Sequence, residues 1–253
     1  MARRKYAMVT PYYTEDRSLI EKCINSVKGQ SVTTDHIVVS DGVPQDWIDD
    51  IGVRHIRLDR NHADYGNTPR AIGALLAIGE EYDGIGLLDA DNWIEPDHVG
   101  ACLEAGKKER NCDYVVAQMT LRRPDGSALP VPPEPGHVDT NCFFFLRGSF
   151  SVIPYWGMMP KLISHSCDRV FNRVIIQRGL VRTLVQHPTV NYLCMWETFY
   201  KYLGETPPKG AKPNIDARHS DKWLRSLTPR ELEIADRLAG LRTMDFFRLF
   251  MAR

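Results

Sequence analysis

The chain of 253 residues lacks several patterns that would assign it to well-known classes. It has no run of about 18 apolar residues, so we expect no transmembrane helix. Its basic first residues are not followed by an apolar segment, so we expect no secretory signal. Lys and Arg number 32, as do Asp and Glu. This balance lacks the basic excess of most nucleic-acid-binding proteins, and we expect no nucleic-acid partner.

Cysteine pairs and glycine-rich nucleotide loops are also missing. The six cysteines are scattered and none belongs to a Cys-x-x-Cys pair, which argues against a disulfide framework or a zinc site. This usage is typical of reduced, buried thiols, so we expect a cytoplasmic protein. The sequence has no Gly-x-Gly-x-x-Gly loop, and this excludes the usual dinucleotide-dependent oxidoreductase.

The spacing of apolar residues predicts an α/β protein. In the first 90 residues a strand, a helix, two strands, a helix and another strand follow one another. This order is typical of a mostly parallel sheet flanked by helices. We expect this domain to cover residues 1–220, with one half at 1–100 and the other at 101–220.

A C-terminal helical segment is expected at residues 221–253. Thr228 is placed to cap one long helix, and Pro229 suits its first position. The apolar stripe of this helix includes Phe246 and Phe247 and is too apolar to stand alone in water. We expect it to pack on its own domain or on a second copy in a homo-oligomer. Peripheral contact with the inner face of the cell membrane is the alternative.

Two carboxylates stand at the end of the fourth predicted strand. The apolar run of residues 85–88 leads directly to Asp89 and Asp91. Side chains two positions apart in an extended segment point the same way, so both carboxylates face one pocket while Ala90 faces away. Ligands of open α/β sheets bind at the carboxyl ends of the strands. Two hard oxygen ligands suit Mg²⁺ or Mn²⁺, although a solvated turn would explain the pair when it is taken alone.

Other predicted strands end in residues that suit the same pocket. The first ends in Thr10-Pro11-Tyr12, which offers a hydroxyl, a fixed turn and an aromatic ring. The second ends in Asp41, an acceptor for the N–H groups of a base. Arg70 follows before the fourth strand and suits phosphate binding. Taken singly, each of these residues also has a structural explanation. Tyr12 would pack in the core, Asp41 would close a turn, and Arg70 would be a solvated residue in the first turn of a helix.

The order of these features resembles that of family 2 glycosyltransferases, which have the GT-A nucleotide-sugar fold. The resemblance is good over residues 5–100 and looser over 135–190. It implies a nucleotide-sugar-binding first half and an acceptor-binding second half. It also implies nucleotide-sugar-binding roles for Thr10, Pro11 and Tyr12 beside the nucleoside, Asp41 at the base, Arg70 near the donor, and Asp89, Ala90 and Asp91 near the ribose and the metal. Asp91 would be the direct metal ligand, with Asp89 beside it.

The resemblance further implies a catalytic base at the start of a late helix. Asp168 occupies that position, but the acid that usually precedes it in the family is replaced by Cys167. A carboxylate there takes the proton of the acceptor hydroxyl as the sugar is transferred with inversion. A favourable interaction with the helix dipole would also explain an aspartate at this position. His165 is the alternative base.

Further residues are candidates for binding the acceptor and the metal. His137, Asp139 and Asn141 lie in a loop before the base helix, where they would bind acceptor hydroxyls or satisfy the backbone of their own loop. Trp156 would stack on a sugar or cover the core. Some GT-A enzymes use a late histidine as a third metal ligand, which His187 would supply here, although a lone histidine is more often structural.

The resemblance therefore implies a metal-dependent, inverting hexosyltransferase that uses Mn²⁺ or Mg²⁺. It would move a sugar from a nucleotide-diphosphate donor, with a UDP-sugar favoured, to a glycan or lipid-linked acceptor in bacterial glycan or polysaccharide assembly. A nucleotidyltransferase shares the architecture, but the loop after the first strand lacks the glycines that such an enzyme needs. The other alternative is a catalytically inactive protein of this fold that binds sugar nucleotides or acts as a scaffold.

Overall fold

One mixed β-sheet places several strand ends beside each other. The structure is a computed structural model that describes residues 4–214, 216 and 218–251, so the last two residues of the expected C-terminal segment lie outside it. Within these residues the strands are β1 (Tyr6–Tyr12), β2 (Asp35–Ser40), β3 (Arg54–Arg57), β4 (Gly84–Leu87), β5 (Trp93–Ile94), β6 (Tyr114–Arg122), β7 (Phe143–Leu146) and β8 (Arg182–Leu193). Their order in the sheet is β3-β2-β1-β4-β7-β6-β8-β5.

Strands β1 to β4 are parallel, as the sequence predicts. β1 pairs with β2 through Val9 and Ile37, and with β4 through Val9 and Leu87. Strand β7 runs antiparallel between β4 and β6, and β8 is parallel to β6. Because β1, β2 and β4 are parallel, their carboxyl ends share one edge of the sheet. Residues that follow these strands therefore come together at that edge.

Helices cover the sheet and carry several of the candidate residues. They are α1 (Arg17–Lys28), α2 (Asn67–Gly79), α3 (His98–Lys108), α4 (Pro154–Met158), α5 (Cys167–Gln177), α6 (Glu197–Tyr202), α7 (Arg218–Ser226), α8 (Pro229–Ala239) and α9 (Thr243–Met251). Helix α2 lies very close to β1, since a Cβ atom at Gly73 would be 2.6 Å from a methyl group of Val9. A glycine is needed for this approach.

An aromatic group fixes α5 to the sheet. Phe143 and Phe145 on β7 stack with their ring centroids 5.6 Å apart, and Phe171 on α5 stands edge-on to both at 5.8 Å. Trp156 stacks on Phe171 at 4.2 Å and is fully buried. The prediction that Trp156 stacks on a sugar is therefore wrong, because core side chains cover its indole. This core holds the start of α5, where Asp168 lies.

The C-terminal segment forms helices α7, α8 and α9 instead of one long helix. The predicted start of α8 is confirmed, because Thr228 and Glu231 form a reciprocal capping box with Pro229 in the first turn. The predicted continuity is wrong. Gly240 has a φ of +76° and ends α8, and α9 begins at Thr243.

These helices pack on the core of their own chain, which was one of the expected outcomes. Leu241 and Phe247 are buried and belong to the main hydrophobic cluster. The hydroxyl of Ser220 on α7 donates to the carbonyl of Leu162 at 2.5 Å. Leu162 belongs to the 3-10 turn Lys161–Ser166, which leads into α5, so the segment supports the start of that helix. In the part of the chain that the structure describes, no helix is long and apolar enough to cross a membrane.

Candidate active site

Asp89 follows β4 and is held by side chains from two other elements. Its Oδ1 atom accepts a hydrogen bond from Nη2 of Arg70 on α2 at 2.7 Å, and its Oδ2 atom accepts one from Nδ2 of Asn141 at 3.1 Å. The backbone N–H of Asp89 donates to Oδ1 of Asn141 at 2.5 Å. Both carboxylate oxygens are therefore held in a fixed direction. The sequence did not predict this pairing, since Asn141 lies 52 residues further along the chain.

Arg70 is buried beneath this carboxylate, with 3% of its surface exposed. Its Nη1 atom donates to Oδ1 of Asn67 at 3.0 Å, and its guanidinium lies 5.1 Å from the ring of Trp156. Burial alone would lower the pKa of Arg70, but the charge and hydrogen bond of Asp89, together with Cys167 and Asp64, raise it, so the side chain stays charged. The structure thus pairs Arg70 with Asp89 instead of opening it to a donor phosphate. We interpret Arg70 as the residue that orients this carboxylate.

Asp91 is the second carboxylate and is half-buried. Burial and the negative charge of Asp89 raise the pKa of Asp91 to about 7, while the charge of Lys212 opposes this shift. A nearby cation would favour the ionised form. The donor set fits a hard divalent ion, since Mg²⁺ and Mn²⁺ bind one or two carboxylates and complete their shell with water and phosphate oxygens. The described residues contain no group of three or more His, Cys, Asp or Glu side chains suited to a metal.

Ala90 and His187 complete the residues predicted near the metal. Ala90 is buried in the small hydrophobic cluster of Tyr12 and Ile20, so it faces away from the carboxylates as expected. His187 lies on β8 with 56% of its side chain exposed, and its Nε2 atom donates to Oδ2 of Asp97 at 2.9 Å. The structure does not bring it together with Asp89 and Asp91. It therefore gives no support to His187 as a third metal ligand.

Asp168 lies in the first turn of α5, as predicted, and His137 holds it. Nε2 of His137 donates to Oδ2 of Asp168 at 2.5 Å, and the backbone N–H of Arg169 donates to Oδ1 at 2.7 Å. The side chains of His137 and Asp168 are each 19% exposed. Burial alone would lower the pKa of His137, but its hydrogen bond to Asp168 and the charge of that carboxylate raise it. His137 was predicted to bind the acceptor, and in the structure it orients the predicted base.

Asp139 and Asn141 connect the two carboxylate positions. Oδ1 of Asp139 accepts hydrogen bonds from the backbone N–H of Asn141 at 2.9 Å and from its Nδ2 at 2.6 Å. The same Nδ2 donates to Asp89. Burial and the charges of Asp89 and Asp168 raise the pKa of Asp139 to about 6, so these carboxylates lie within electrostatic reach of one another. Asp139 and Asn141, which were both predicted to bind the acceptor, are thus joined to each other and to Asp89.

A cavity of about 600 Å³ opens beside the predicted base. Asp168, His137 and Asp139 form its polar end. Much of the remaining wall comes from residues 128–134, which form a Pro-rich loop. Other parts come from residues 119–121 on β6, from the start of α5, and from residues at the end of β8 and on α6. The volume is typical of a small-molecule binding site.

His165, the alternative base, lies at the same cavity between two aromatic rings. Its ring centroid is 6.4 Å from that of Tyr65 and 6.3 Å from that of Phe247 on α9. Burial lowers the pKa of His165. Its Nε2 atom is buried and has no hydrogen-bond partner among the residues described. Because a neutral imidazole nitrogen accepts protons, His165 remains an alternative to Asp168.

The residues predicted beside the nucleoside turn their side chains inward. Thr10 is fully buried, and its Oγ1 atom lies 2.8 Å from Nε2 of His36 on β2. Tyr12 is 2% exposed, and its hydroxyl lies 2.8 Å from Nε2 of His55 on β3. Pro11 is buried between them. These side chains support the sheet, and only the backbone of this strand end remains for the predicted contact with a nucleoside.

Asp41 follows β2 as predicted, but it already has a partner. Its Oδ1 atom accepts hydrogen bonds from Nδ1 of His62 at 2.6 Å and from the backbone N–H of His62 at 3.1 Å. The loop before α2 comes very close to the next residue, since a Cβ atom at Gly42 would lie 2.4 Å from the backbone of Arg60 and Asn61. Asp41 thus holds this loop in place. Its contact with a nucleotide base stays a prediction.

Asn92 and Lys212, neither of which was predicted to bind a ligand, lie beside the acidic pair. Oδ1 of the buried Asn92 accepts from the backbone N–H of Leu193 at 2.8 Å, which joins the end of β8 to the acidic turn. Just beyond, Trp196 and Lys212 form a parallel bridge, and Nζ of Lys212 lies 5.8 Å from the indole ring. Because Asn92 directly follows Asp91, its position beside the acidic pair is predictable from the sequence. No local pattern around Lys212 indicated its position.

The contact between His137 and Asp168 should make stability depend on pH. The folded pKa of His137 is raised above its usual 6.5. The resulting stabilisation is fully present below that usual value and is lost as the pH rises through the raised pKa. His137→Gln should therefore cost more stability near pH 5.5 than near pH 9. Urea unfolding of both proteins at the two pH values measures this difference, and equal losses would contradict it.

The fold and this site define a nucleotide-sugar glycosyltransferase of the GT-A type. The parallel strands β1 to β4 within a mixed sheet flanked by helices are typical of this class. The family model of glycosyl transferase family 2 matches residues 8–178. This match covers more than half of the chain, which therefore belongs to that family.

Solved structures of S. aureus TarS share the fold. TarS 1–349 in complex with UDP aligns with a TM-score of 0.59 and 12% sequence identity, over 92% of this chain and 70% of that chain. TarS 1–349 in complex with UDP-GlcNAc aligns with a TM-score of 0.56 and 14% identity, over 96% and 81%. Likeness at such low identity concerns the fold alone. A comparison with curated proteins gave no match.

Proposed function

We propose that this chain is a metal-dependent, inverting glycosyltransferase that moves a hexose from a UDP-sugar to a hydroxyl of a glycan or lipid-linked acceptor. The observation that carries the proposal is the hydrogen-bonded link from Asp89 through Asn141 to Asp139, beside Asp168. This link fixes the donor-side carboxylate relative to Asp139, and Asp139 lines the same cavity as the predicted base. The cavity at Asp168 offers room for an acceptor.

Asp168 acts as the general base in this mechanism. The acceptor oxygen attacks the anomeric carbon on the face opposite the departing diphosphate, so the configuration at that carbon inverts. Such a displacement requires one group to receive the hydroxyl proton. His137 orients Oδ2 of Asp168, and the backbone N–H of Arg169 fixes Oδ1. The carboxylate is thereby aimed before an acceptor arrives.

Asp91, with Asp89 beside it, would hold the divalent ion. When bound, Mn²⁺ or Mg²⁺ supplies positive charge that stabilises the departing diphosphate. Arg70 and Asn141 orient Asp89 for this task. The raised pKa of Asp91 supports the assignment, because ionisation is costly there unless a cation is present.

We further propose that the donor nucleotide is UDP and that the protein is cytoplasmic. The neighbouring TarS structures contain UDP and UDP-GlcNAc, which supports a uridine nucleotide here. All six cysteines are free and five of them are buried, which supports a reducing compartment.

A panel of nucleotide-sugars tests the proposed activity. We expect one UDP-sugar to raise the melting temperature in the presence of Mn²⁺ and to be hydrolysed slowly only when the metal is present. Binding without hydrolysis or transfer would instead indicate an inactive sugar-nucleotide-binding protein. Failure of every nucleotide-sugar to bind would refute the proposal.

Lys212 should contribute to binding the diphosphate of the donor, since its charge acts on Asp91 while Arg70 is buried in an ion pair. A hydrogen bond to a charged group contributes about 1.5–3 kcal/mol, so Lys212→Gln should weaken UDP binding by about tenfold or more. Binding of uridine, which has no phosphate, should change by less than about twofold. Calorimetry with both ligands measures the difference.

Lys209→Gln is the matched control for this prediction, because Lys209 is exposed on the same segment. It should leave UDP binding close to that of the parent. An equal loss of UDP and uridine binding in Lys212→Gln, or an equal effect of Lys209→Gln, would contradict the role of Lys212.

A further inference from the structure

The cavity beside Asp168 has an apolar wall that the transfer chemistry does not use. The wall belongs to a hydrophobic cluster separate from the main core, with Leu121, Leu129 and Tyr200 buried at its centre. Five partly buried members of this cluster line the cavity: Met119, Val131, Tyr192, Trp196 and Phe199. Three of the five are aromatic. A cavity of about 600 Å³ with an apolar wall beside a catalytic carboxylate is typical of a ligand site.

Ion pairs hold the Pro-rich loop of this wall near both of its ends. Near its start, Arg123 forms an ion pair with Glu205, with 2.6 Å between Nη2 and Oε1. Near its end, the two carboxylate oxygens of Glu134 accept hydrogen bonds from the guanidinium of Arg169 at 2.8 and 2.5 Å. Paired bonds of this kind fix orientation as well as distance. The wall therefore has a defined shape.

The charged groups at the polar end of the cavity are mostly negative. Glu134, Asp139 and Asp168 contribute carboxyl groups, while Arg169 contributes a guanidinium and His137 an imidazole. Arg169 is bound to Glu134, so its charge is balanced within the wall. His137 is likewise paired with Asp168, so an acceptor with its own phosphate or carboxylate would find both of these cations paired and would meet Asp139 as a further carboxyl group. Repulsion between like charges is strong where water is partly excluded. Charge complementarity therefore favours an uncharged acceptor.

We propose that the acceptor is an uncharged glycoside with an apolar aglycone, whose reacting hydroxyl lies at Asp168 and whose aglycone lies along Val131, Trp196 and Phe199. This inference rests on the proposed glycosyltransferase function and adds the chemical class of the acceptor. Aromatic side chains such as Trp196 offer flat apolar faces to the aglycone, and the loop residues cover it. The cavity of about 600 Å³ has the size of sites that hold ligands of this kind.

The transfer needs no reactant besides the nucleotide-sugar and this acceptor. The acceptor oxygen forms a bond to the anomeric carbon as the bond from that carbon to the diphosphate oxygen breaks. The bonding electron pair leaves with the nucleoside diphosphate, and the hydroxyl proton passes to Asp168. Because the aglycone takes no part in these bond changes, it should affect KM far more than kcat.

Matched pairs of glycosides test the acceptor class. The octyl and methyl β-glycosides of glucose, galactose and N-acetylglucosamine are compared below the micelle concentration, together with the 6-phosphates of the methyl compounds. Calorimetry measures binding, and transfer is measured with the nucleotide-sugar found in the donor panel. One fully buried methylene strengthens binding by about fourfold. For at least one sugar, the octyl compound should therefore bind about tenfold tighter than its methyl partner, and the phosphate should bind more weakly than either.

Variants of the wall separate its contribution from that of the rest of the site. Phe199→Ala removes a ring that lines the cavity, and Tyr202→Ala removes one that is 67% exposed on the same helix α6. Val131→Thr keeps the shape of the side chain and adds a hydroxyl, so it tests the wall even if Phe199→Ala does not fold. Phe199→Ala and Val131→Thr should each reduce the preference for octyl over methyl by about fivefold. Tyr202→Ala should leave it unchanged.

Equal binding of the octyl and methyl partners for all three sugars would overturn the proposal, as would tighter binding of the phosphates. The same holds if Tyr202→Ala reduces the preference as much as Phe199→Ala does. Hydrolysis of the donor without acceptor reports on the proposed function separately. If it occurs while the pairs bind equally, only the acceptor class is refuted. If it is absent while the octyl preference is present, the transferase activity is refuted and the apolar site stands.

Discussion

Replacing Asp168 with Asn should lower the rate of sugar transfer by about 10²–10⁴-fold while leaving donor binding unchanged, since that is the usual contribution of a general base. Asparagine has nearly the same shape, and its Oδ1 atom is still able to accept a hydrogen bond from His137. It does not take up the proton of the acceptor hydroxyl. Single-turnover rates at saturating donor, with donor affinity from calorimetry, measure the two effects separately.

His165→Asn is the matched comparison, because His165 lines the same cavity and is the other residue able to accept a proton there. If Asp168 is the base, this variant should lose less than about tenfold in rate. Near-normal transfer in Asp168→Asn together with a large loss in His165→Asn would assign the base to the histidine. Near-normal transfer in both would make Asp139 the next candidate.

The positions of the acidic pair and of Asp168 were predictable because each depends on a local pattern. An apolar strand followed by Asp89 and Asp91 places both residues at the carboxyl end of a strand, and parallel pairing brings such ends to one edge. In the same way, Asp168 precedes an amphipathic run and lies in the first turn of α5. The family resemblance then supplied roles that the patterns alone do not define.

The partners of these residues were not predictable, because they depend on contacts between distant segments. An arginine in the first turn of a helix has the same local sequence whether it faces solvent or an ion pair. Arg70 is buried because β4 ends beside α2 and presents Asp89 to it. Likewise, Trp156 lies in an aromatic core that only the packing of α5 against β7 creates. A side chain expected at the substrate therefore became part of the scaffold.

Replacing Asp91 with Asn should abolish the stabilisation of the protein by Mn²⁺ and UDP while leaving the fold intact. Asp91 is the proposed direct metal ligand, and Asp89 lies beside it with one oxygen bonded to Arg70 and the other to Asn141. A ligand at about a hundredfold excess over its Kd stabilises a protein by about 2.7 kcal/mol. The parent should show a corresponding rise in melting temperature, and the variant should show none.

Asp97→Asn is the matched control for this measurement, because Asp97 lies on the same stretch of chain but is exposed and paired with His187. It should keep the full rise in melting temperature. If Asp97→Asn loses the rise in melting temperature, His187 and Asp97 become candidates for binding the metal. Retention of the rise in Asp91→Asn would contradict the assignment of Asp91 as the metal ligand.

Without metal, Asp91→Asn should stabilise the protein at alkaline pH. The pKa of Asp91 is raised from 3.8 to about 7, so its ionisation disfavours the folded state. This destabilisation is absent below the unfolded pKa, grows as the pH rises from about 4 to about 7, and is constant above that. Asparagine does not ionise, so the variant should melt above the parent near pH 8, and the difference should shrink as the pH falls towards 4. A variant that melts below the parent near pH 8 would show that Asp91 stabilises the metal-free fold, and the electrostatic reason for placing a cation beside it would be lost.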